Sequence, residues 1–133
     1  MDTPVSVIMP VYNAALFLRE AIESILTQTY GNFEFIVVYD KSSDDTWDIL
    51  REYEGRDKRI RVIQNTERAG PGAAVNRGIL ASKGRYIARM DADDISAKER
   101  LEIQVNFLDK HPEVGVVGTA IYLRDSNGKI FAL

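Results

Sequence analysis

Gly84-Arg85-Tyr86-Ile87-Ala88-Arg89-Met90-Asp91-Ala92-Asp93-Asp94 decides the reading of the chain. A short β-favouring run around Tyr86 and Ile87 drives straight into three carboxylates packed within four positions. Like charges that close raise each other's proton affinity unless a cation or hydrogen-bond donors hold them charged. A hard cation such as Mg2+ takes oxygen ligands, usually one or two protein carboxylates with water and substrate phosphates filling the rest of its shell. The stretch therefore reads as a strand ending in a candidate metal–diphosphate site. The plainer alternative is that Asp93, Asp94 and Ser96 open and cap the next helix. The rest of the chain has to decide between them.

Upstream, Val5-Ser6-Val7-Ile8-Met9 is an apolar, β-branched run that reads as a buried strand stopped by Pro10. Leu18, Ala21, Ile22, Ile25 and Leu26 then recur at helical spacing, with Arg19, Glu20 and Glu23 on the other face. Phe33 to Tyr39 is a second, nearly all-apolar strand, followed by the polar loop Asp40-Lys41-Ser42-Ser43-Asp44-Asp45. Trp47, Leu50 and Tyr53 continue at helical spacing as far as Gly55, and Ile60-Arg61-Val62-Ile63 reads as a third strand leading to Asn65. Gly70-Pro71-Gly72 is read as a loop before a small-residue helix from Ala73 to Ala81. Downstream of the carboxylates, Ser96 and Glu99 have capping-box spacing ahead of Leu101, Val105 and Leu108. That helix must stop by His111-Pro112. Val114 to Leu123 reads as a last strand, and Asn127-Gly128 as a hairpin turn into Ile130-Phe131.

Strands that are apolar on both faces and alternate with helices predict an α/β fold, a mostly parallel sheet with helices on both faces. Such sheets bind ligands beyond the carboxyl ends of their strands. The polar clusters Pro10 to Asn13, Asp40 to Asp45 and Asp91 to Asp94 all fall at such ends and should converge on one rim. The 133 residues make one domain's worth of chain. With a net charge of −3 and scattered basic residues, there is no electrostatic footprint for nucleic acid. Cysteine is absent, so disulfides, thiolate chemistry and Cys-based zinc sites are excluded. No apolar run is long enough to span a bilayer, and the N-terminus has no signal-peptide pattern.

The ordered set Val5-Ser6-Val7-Ile8-Met9-Pro10-Val11-Tyr12-Asn13, Tyr39-Asp40-Lys41-Ser42-Ser43-Asp44-Asp45-Thr46, Asn76-Arg77-Gly78 and Asp91-Ala92-Asp93-Asp94 resembles family 2 glycosyltransferases. The resemblance covers essentially the whole chain and implies a GT-A (Rossmann-like) nucleotide-binding fold over residues 1–133. It implies that Pro10, Val11 and Tyr12 wall the base, with the Tyr12 ring available for stacking. Asp40 matches the second acidic residue of the family's "DDGS" turn, whose carboxylate accepts a hydrogen bond from the base. Asp91, Ala92 and Asp93 match its D-x-D motif, with Asp91 and Asp93 holding ribose and a Mg2+ or Mn2+ ion on the diphosphate of a donor, here a UDP-sugar. Arg68 is a further phosphate or base contact, without a firm match in the motif. The family is inverting and transfers sugar to a glycan or lipid-linked acceptor hydroxyl; the resemblance implies polysaccharide building or glycan modification on the cytoplasmic side. The family's catalytic base and acceptor site lie past the position of Leu133, so the catalytic residue is expected outside this chain and the chain as the donor-binding half of a longer enzyme.

Two positions depart from the family pattern: Tyr39 stands where the first acidic residue is usual, and Lys41 where glycine is frequent. Among the remaining residues, Asp44 and Asp45 read as helix N-terminal charges, Trp47 as packing, and His111 as a helix-end residue. Three rival readings exist. A sugar-nucleotidyltransferase needs a glycine-rich loop after the first strand, where this chain has Pro10-Val11-Tyr12-Asn13. A receiver-like domain needs its acidic pair at that same strand. A non-catalytic nucleotide-sugar-binding module stays compatible with the sequence.

Overall fold

The central strand β1 (Val5–Val11) has Val7, Ile8 and Met9 fully excluded from water. Successive strand residues point to opposite faces, so such a run needs cover on both sides. The computed structural model, which describes residues 4–132, supplies it. In chain order the elements are β1, α1 (Ala15–Leu26), β2 (Phe33–Asp40), α2 (Thr46–Arg56), β3 (Ile60–Asn65), α3 (Pro71–Ala81), β4 (Tyr86–Arg89), α4 (Arg100–Lys110), β5 (Tyr122–Arg124) and β6 (Ile130–Ala132). The chain divides into two compact units, Met1–Glu102 and Ile103–Leu133.

In the first unit, β1 to β4 form a parallel sheet in the order β3-β2-β1-β4. The path from β1 to β3 moves one way across the sheet, and the step from β3 to β4 returns past β1. Right-handed crossovers then put α1 and α2 on one face and α3 on the other. Ala74 of α3 sits against Ile36 and Val38, and a Cβ on Gly78 would come within 2.6 Å of Ile8 Cγ2. The expected α/β architecture with helices on both faces is present. Its strand order reverses between β1 and β4, and open α/β sheets place their ligands at such a switch point.

At the opposite end of the sheet, Glu34 ties three segments together. Ser6 Oγ donates to Glu34 Oε1 at 2.5 Å, the Lys83 amide donates to the same oxygen at 2.6 Å, and the Gly84 amide donates to Ser6 Oγ at 2.8 Å.

Four local readings differ from expectation. Pro10 does not stop β1, which runs on to Val11. The Ile8 carbonyl accepts from the Met90 amide on the β4 side, so two residues later Pro10 faces the same way, beyond the end of β4, and its missing N–H removes no ladder bond. Pro71 and Gly72 belong to α3 rather than to a preceding loop, because proline's fixed φ suits a first helical turn. The capping box at Ser96 and Glu99 does not form. Instead α4 begins at Arg100, and Ser96 gives its amide to Ser24 Oγ and its hydroxyl to Met90 Sδ. In the second unit, the strand expected over Val114 to Leu123 is confined to β5, with Val116 89% exposed. Gly115 and Gly118 weaken the run, and only Tyr122–Arg124 finds a pairing partner, antiparallel β6. The expected hairpin turn is there, with Gly128 at φ 83° and the Asp125 carboxylate accepting from the Asn127 and Lys129 amides. His111 ends its helix with its ring against Phe107 and Nδ1 beside Glu113.

Candidate functional site

The register puts Val11 beside Tyr39 and Asp40 beside Asn65, while the Met90 amide bonds to the Ile8 carbonyl. The carboxyl ends of all four strands thus reach one rim. A cavity of about 430 Å3 opens there, at the β1/β4 switch point. Ligand clefts commonly hold roughly 300–1,000 Å3, so the volume suits a small organic ligand. All of the residues picked from the sequence, Pro10, Val11, Tyr12, Asp40, Arg68, Asp91, Ala92 and Asp93, line it. Asn13, Phe17, Pro71 and Arg89 also line it, and the sequence reading did not single out Phe17, Pro71 or Arg89 for the site.

One wall is Tyr12 with Arg68. Tyr12 is 40% exposed, and the guanidinium carbon stands 4.1 Å from its ring centroid. A planar cation over a ring face is an attractive arrangement, and both groups offer a flat surface for stacking. Asn13 turns the chain from β1 into α1 with φ 45°, a left-handed conformation that asparagine tolerates better than most residues. Its Oδ1 accepts from the Ser43 amide at 2.9 Å, and its own amide donates to Ser42 Oγ.

The loop after β2 is built to hold this turn. Ala14, at the N-cap of α1, has no side-chain acceptor to offer, and the free amides at the helix start go to the neighbouring loop. Ala14 donates to Thr46 Oγ1 at 3.0 Å and Ala15 to Asp44 Oδ2 at 3.1 Å. Asp44 also accepts from the Thr46 amide and hydroxyl, so it serves the first turns of two helices. Burial pushes the Asp44 carboxyl upward, but hydrogen bonds from Thr46 and Ala15 outweigh it and leave the group below its ordinary range. Tyr39 is turned into this loop: its hydroxyl accepts from the Ser42 amide and its ring packs on Trp47 at 4.9 Å.

Asp40 is buried at the floor. Oδ1 accepts from Asn65 Nδ2 at 2.8 Å, and Oδ2 accepts from the Ala69 and Gly70 amides, both at 3.0 Å. A carboxylate can accept about four hydrogen bonds, so roughly one position is left for a ligand.

The carboxylates of β4 lie across the cavity. The Asp94 amide bonds to the Asp91 carbonyl at 3.3 Å, closing a turn that presents Asp91 and Asp93 at the surface. Arg89 pairs with Asp91 at 3.4 Å, both side chains half exposed. Asp94 is also exposed at the surface; partial desolvation first, then the charges of Asp93 and Asp91, raise its pKa above the ordinary carboxylate range. Beneath the turn lies Arg100, whose guanidinium donates to the Arg89 carbonyl at 2.9 Å and to Ser96 Oγ at 3.0 Å. Buried Gln28 docks the following segment, donating to the Ser24 and Ala97 carbonyls and accepting from the Leu101 amide.

Among the described residues no cluster of three or more His, Cys, Asp or Glu forms a metal cage. Two solvent-facing carboxylates beside a cavity of this size are instead the kind of donor set used by an ion that arrives with phosphate oxygens and water. Asp91 and Asp93 fit Mg2+ or Mn2+ in that manner.

The model of the family described as "Glycosyl transferase family 2" matches residues 6–132. An uncharacterized glycosyltransferase of Methanocaldococcus jannaschii is 40% identical over 133 residues, which is 98% of this chain and 46% of that protein. The crystal structure of S. aureus TarS in complex with UDP-GlcNAc superposes with a TM-score of 0.76 at 31% identity, covering 82% of this chain and 32% of that one. The mannosyltransferase PcManGT from Pyrobaculum calidifontis, in complex with GDP-Man and Mn2+, gives 0.74 at 28% identity, over 81% of this chain and 33% of that one. The chain therefore spans less than half the length of these relatives.

Proposed function

The chain belongs to glycosyl transferase family 2, and from that premise we propose that it forms the donor site of an inverting, metal-dependent glycosyltransferase that uses a UDP-sugar. The observation that carries this reading is the convergence of Tyr12 and Arg68, Asp40, and Asp91 with Asp93 on one cavity at the strand switch point. In this reading Pro10, Val11 and Tyr12 wall the base, Arg68 closes over it, and the last acceptor position of Asp40 takes a base N–H. Asp91 faces the ribose, and Asp93 is the principal metal ligand. TarS with UDP-GlcNAc and PcManGT with GDP-Man and Mn2+ are nucleotide-sugar complexes on the same fold, which supports both the donor class and the ion.

Departure of a nucleoside diphosphate builds negative charge on phosphate oxygens. A divalent cation bound there supplies Lewis-acid stabilisation of that charge. The protein's own residues do the rest of the donor chemistry: Tyr12 and Arg68 fix the base, Asp40 orients it, and the Arg100-supported turn keeps Asp91 and Asp93 facing the cavity. Inversion requires an acceptor hydroxyl to attack the anomeric carbon from the side opposite the diphosphate, with a general base to take its proton. We place that base, and the site for a glycan or lipid-linked acceptor, outside residues 1–133. No helix among the described residues is long and apolar enough to cross a membrane.

Calorimetric titration with UDP and GDP, with and without Mn2+, tests the reading on the natural chain and on Asp93→Ala. Expected is UDP binding that Mn2+ strengthens and a metal increment that disappears in the variant. Absence of binding by either nucleotide to the folded chain would overturn it.

A further inference from the structure

Arg77 lies on α3 outside the cavity, yet it is joined to the nucleotide pocket by a chain of hydrogen bonds. Its Nη1 donates to the Gln64 carbonyl at 2.9 Å and to Asn65 Oδ1. Asn65 Nδ2 then donates to Asp40 Oδ1, and Asp40 Oδ2 accepts the Ala69 and Gly70 amides. We infer that Arg77 is a positioning residue: through Asn65 and Asp40 it fixes the loop 66–70 that holds Arg68 over Tyr12, and so sets the affinity of the base pocket. This rests on the donor-site reading above for its consequence, but not for its geometry.

The chemistry of the three side chains dictates the order. A guanidinium only donates and a carboxylate only accepts, so a group standing between them must accept from the first and donate to the second. The Asn65 amide is that adapter, and its orientation is forced, with oxygen toward Arg77 and nitrogen toward Asp40. Asp40 is buried at the end of β2. The loop it holds joins β3 to α3, and Arg77 sits on α3 while gripping the last residues of β3. Loop, helix and strand end thus close a ring, with Gly70 at φ 88° where the loop enters the helix. Arg68 directly precedes the two anchored amides, and its guanidinium lies 4.1 Å from the Tyr12 centroid. Release of Asn65 would free one oxygen of Asp40 and loosen the other's hold on Ala69 and Gly70.

Amide hydrogen exchange and UDP titration on the natural chain, Arg77→Met and Arg77→Lys test this. In Arg77→Met, exchange at Ala69 and Gly70 should quicken on the order of tenfold, the equivalent of one hydrogen bond, with UDP affinity falling by a similar factor. Amides of β1 and β2 should keep their protection, and Arg77→Lys, which still donates, should fall between the two. A loss of fold would instead raise exchange everywhere, and conservative rescue would be lost with it. Unchanged exchange at Ala69 and Gly70 in Arg77→Met overturns the relay, and so does faster exchange with unaltered UDP affinity. If the natural chain binds neither UDP nor GDP, the donor-site reading fails, whereas the exchange comparison needs no nucleotide and still decides the relay.

Discussion

Gly84→Ala adds one methyl group where the chain crosses closely over the backbone of β1. Its Cβ would lie 2.5 Å from the Ser6 backbone nitrogen, 2.6 Å from Ser6 Oγ and 2.7 Å from the Val5 carbonyl carbon. These are atoms of β1, which is paired on both sides, to Phe33 of β2 and Tyr86 of β4 at Val5, so the strand has nowhere to move. Overpacking of this kind costs about 1–3 kcal/mol. The clash also displaces the Gly84 amide from Ser6 Oγ, a bond worth about 1 kcal/mol. Against this, the lower entropy of the unfolded alanine chain returns about 0.4–1 kcal/mol. The net loss is about 1–3.6 kcal/mol, which lowers the melting temperature by roughly 3–18 °C for a chain of this length. Gly55→Ala is the control: position 55 lies in α2, and apart from its chain neighbours and its own helix backbone no atom lies within 4 Å of the new Cβ, so stability should rise by about 0.5–1 kcal/mol. Thermal melts by circular dichroism read both. A Gly84→Ala melting point within about 2 °C of the natural chain would refute the crossing as rigid.

Two further perturbations address the scaffold of the site. Asp44→Ala removes the acceptor shared by α1 and α2 and should cost about 1 kcal/mol, as lost N-caps do. Because the folded Asp44 carboxyl is held below its ordinary value of 3.8, its contribution is present above that pH and is lost as pH falls through the lower folded value. Acid titration should therefore show a shallower low-pH decline in the variant than in the natural chain. Gln28→Glu keeps an acceptor for the Leu101 amide but turns an oxygen toward the Ala97 and Ser24 carbonyls. Burial among acceptors raises the pKa of the new carboxyl on folding, so the penalty should grow as pH climbs from 5 to 8, by about 1–3 kcal/mol at the top. A melt series showing no such slope would refute the docking role of Gln28.

The parts of the fold legible in the sequence are those in which burial dictates composition. Apart from Ser6 and Glu34, Val5 to Met9 and Phe33 to Tyr39 are apolar without alternation because both faces of β1 and β2 are covered, and from that the parallel sheet and its ligand-binding rim follow. The carboxylate turn was legible because the apolar run of β4 ends abruptly in Asp91. What stayed hidden depends on partners distant in sequence. Nothing near Asp44 reveals that it caps α1, since the Ala15 amide it serves lies 29 residues earlier. Asn65, Gln28 and Arg100 look like ordinary surface residues until the fold brings Asp40, Ala97 and Arg89 beside them. Local rules also misled in two places. The Ser96 and Glu99 spacing was overruled by tertiary bonds to Ser24 and Met90, and the apolar stretch from Val114 lacked a strand to pair with over most of its length.

The most direct measurement of the central claim is paramagnetic mapping. Backbone amide NMR spectra of the labelled chain would be recorded with UDP and small additions of Mn2+, which broadens signals near the bound ion. The expected result is broadening centred on residues 91–94, with Tyr12 and Asn13 affected, that deepens when UDP is present, while Glu34 and Gly84 at the far end of the sheet stay sharp. Broadening centred away from Asp91 and Asp93, or identical with and without UDP, would contradict a metal–diphosphate donor site at the β1/β4 switch point.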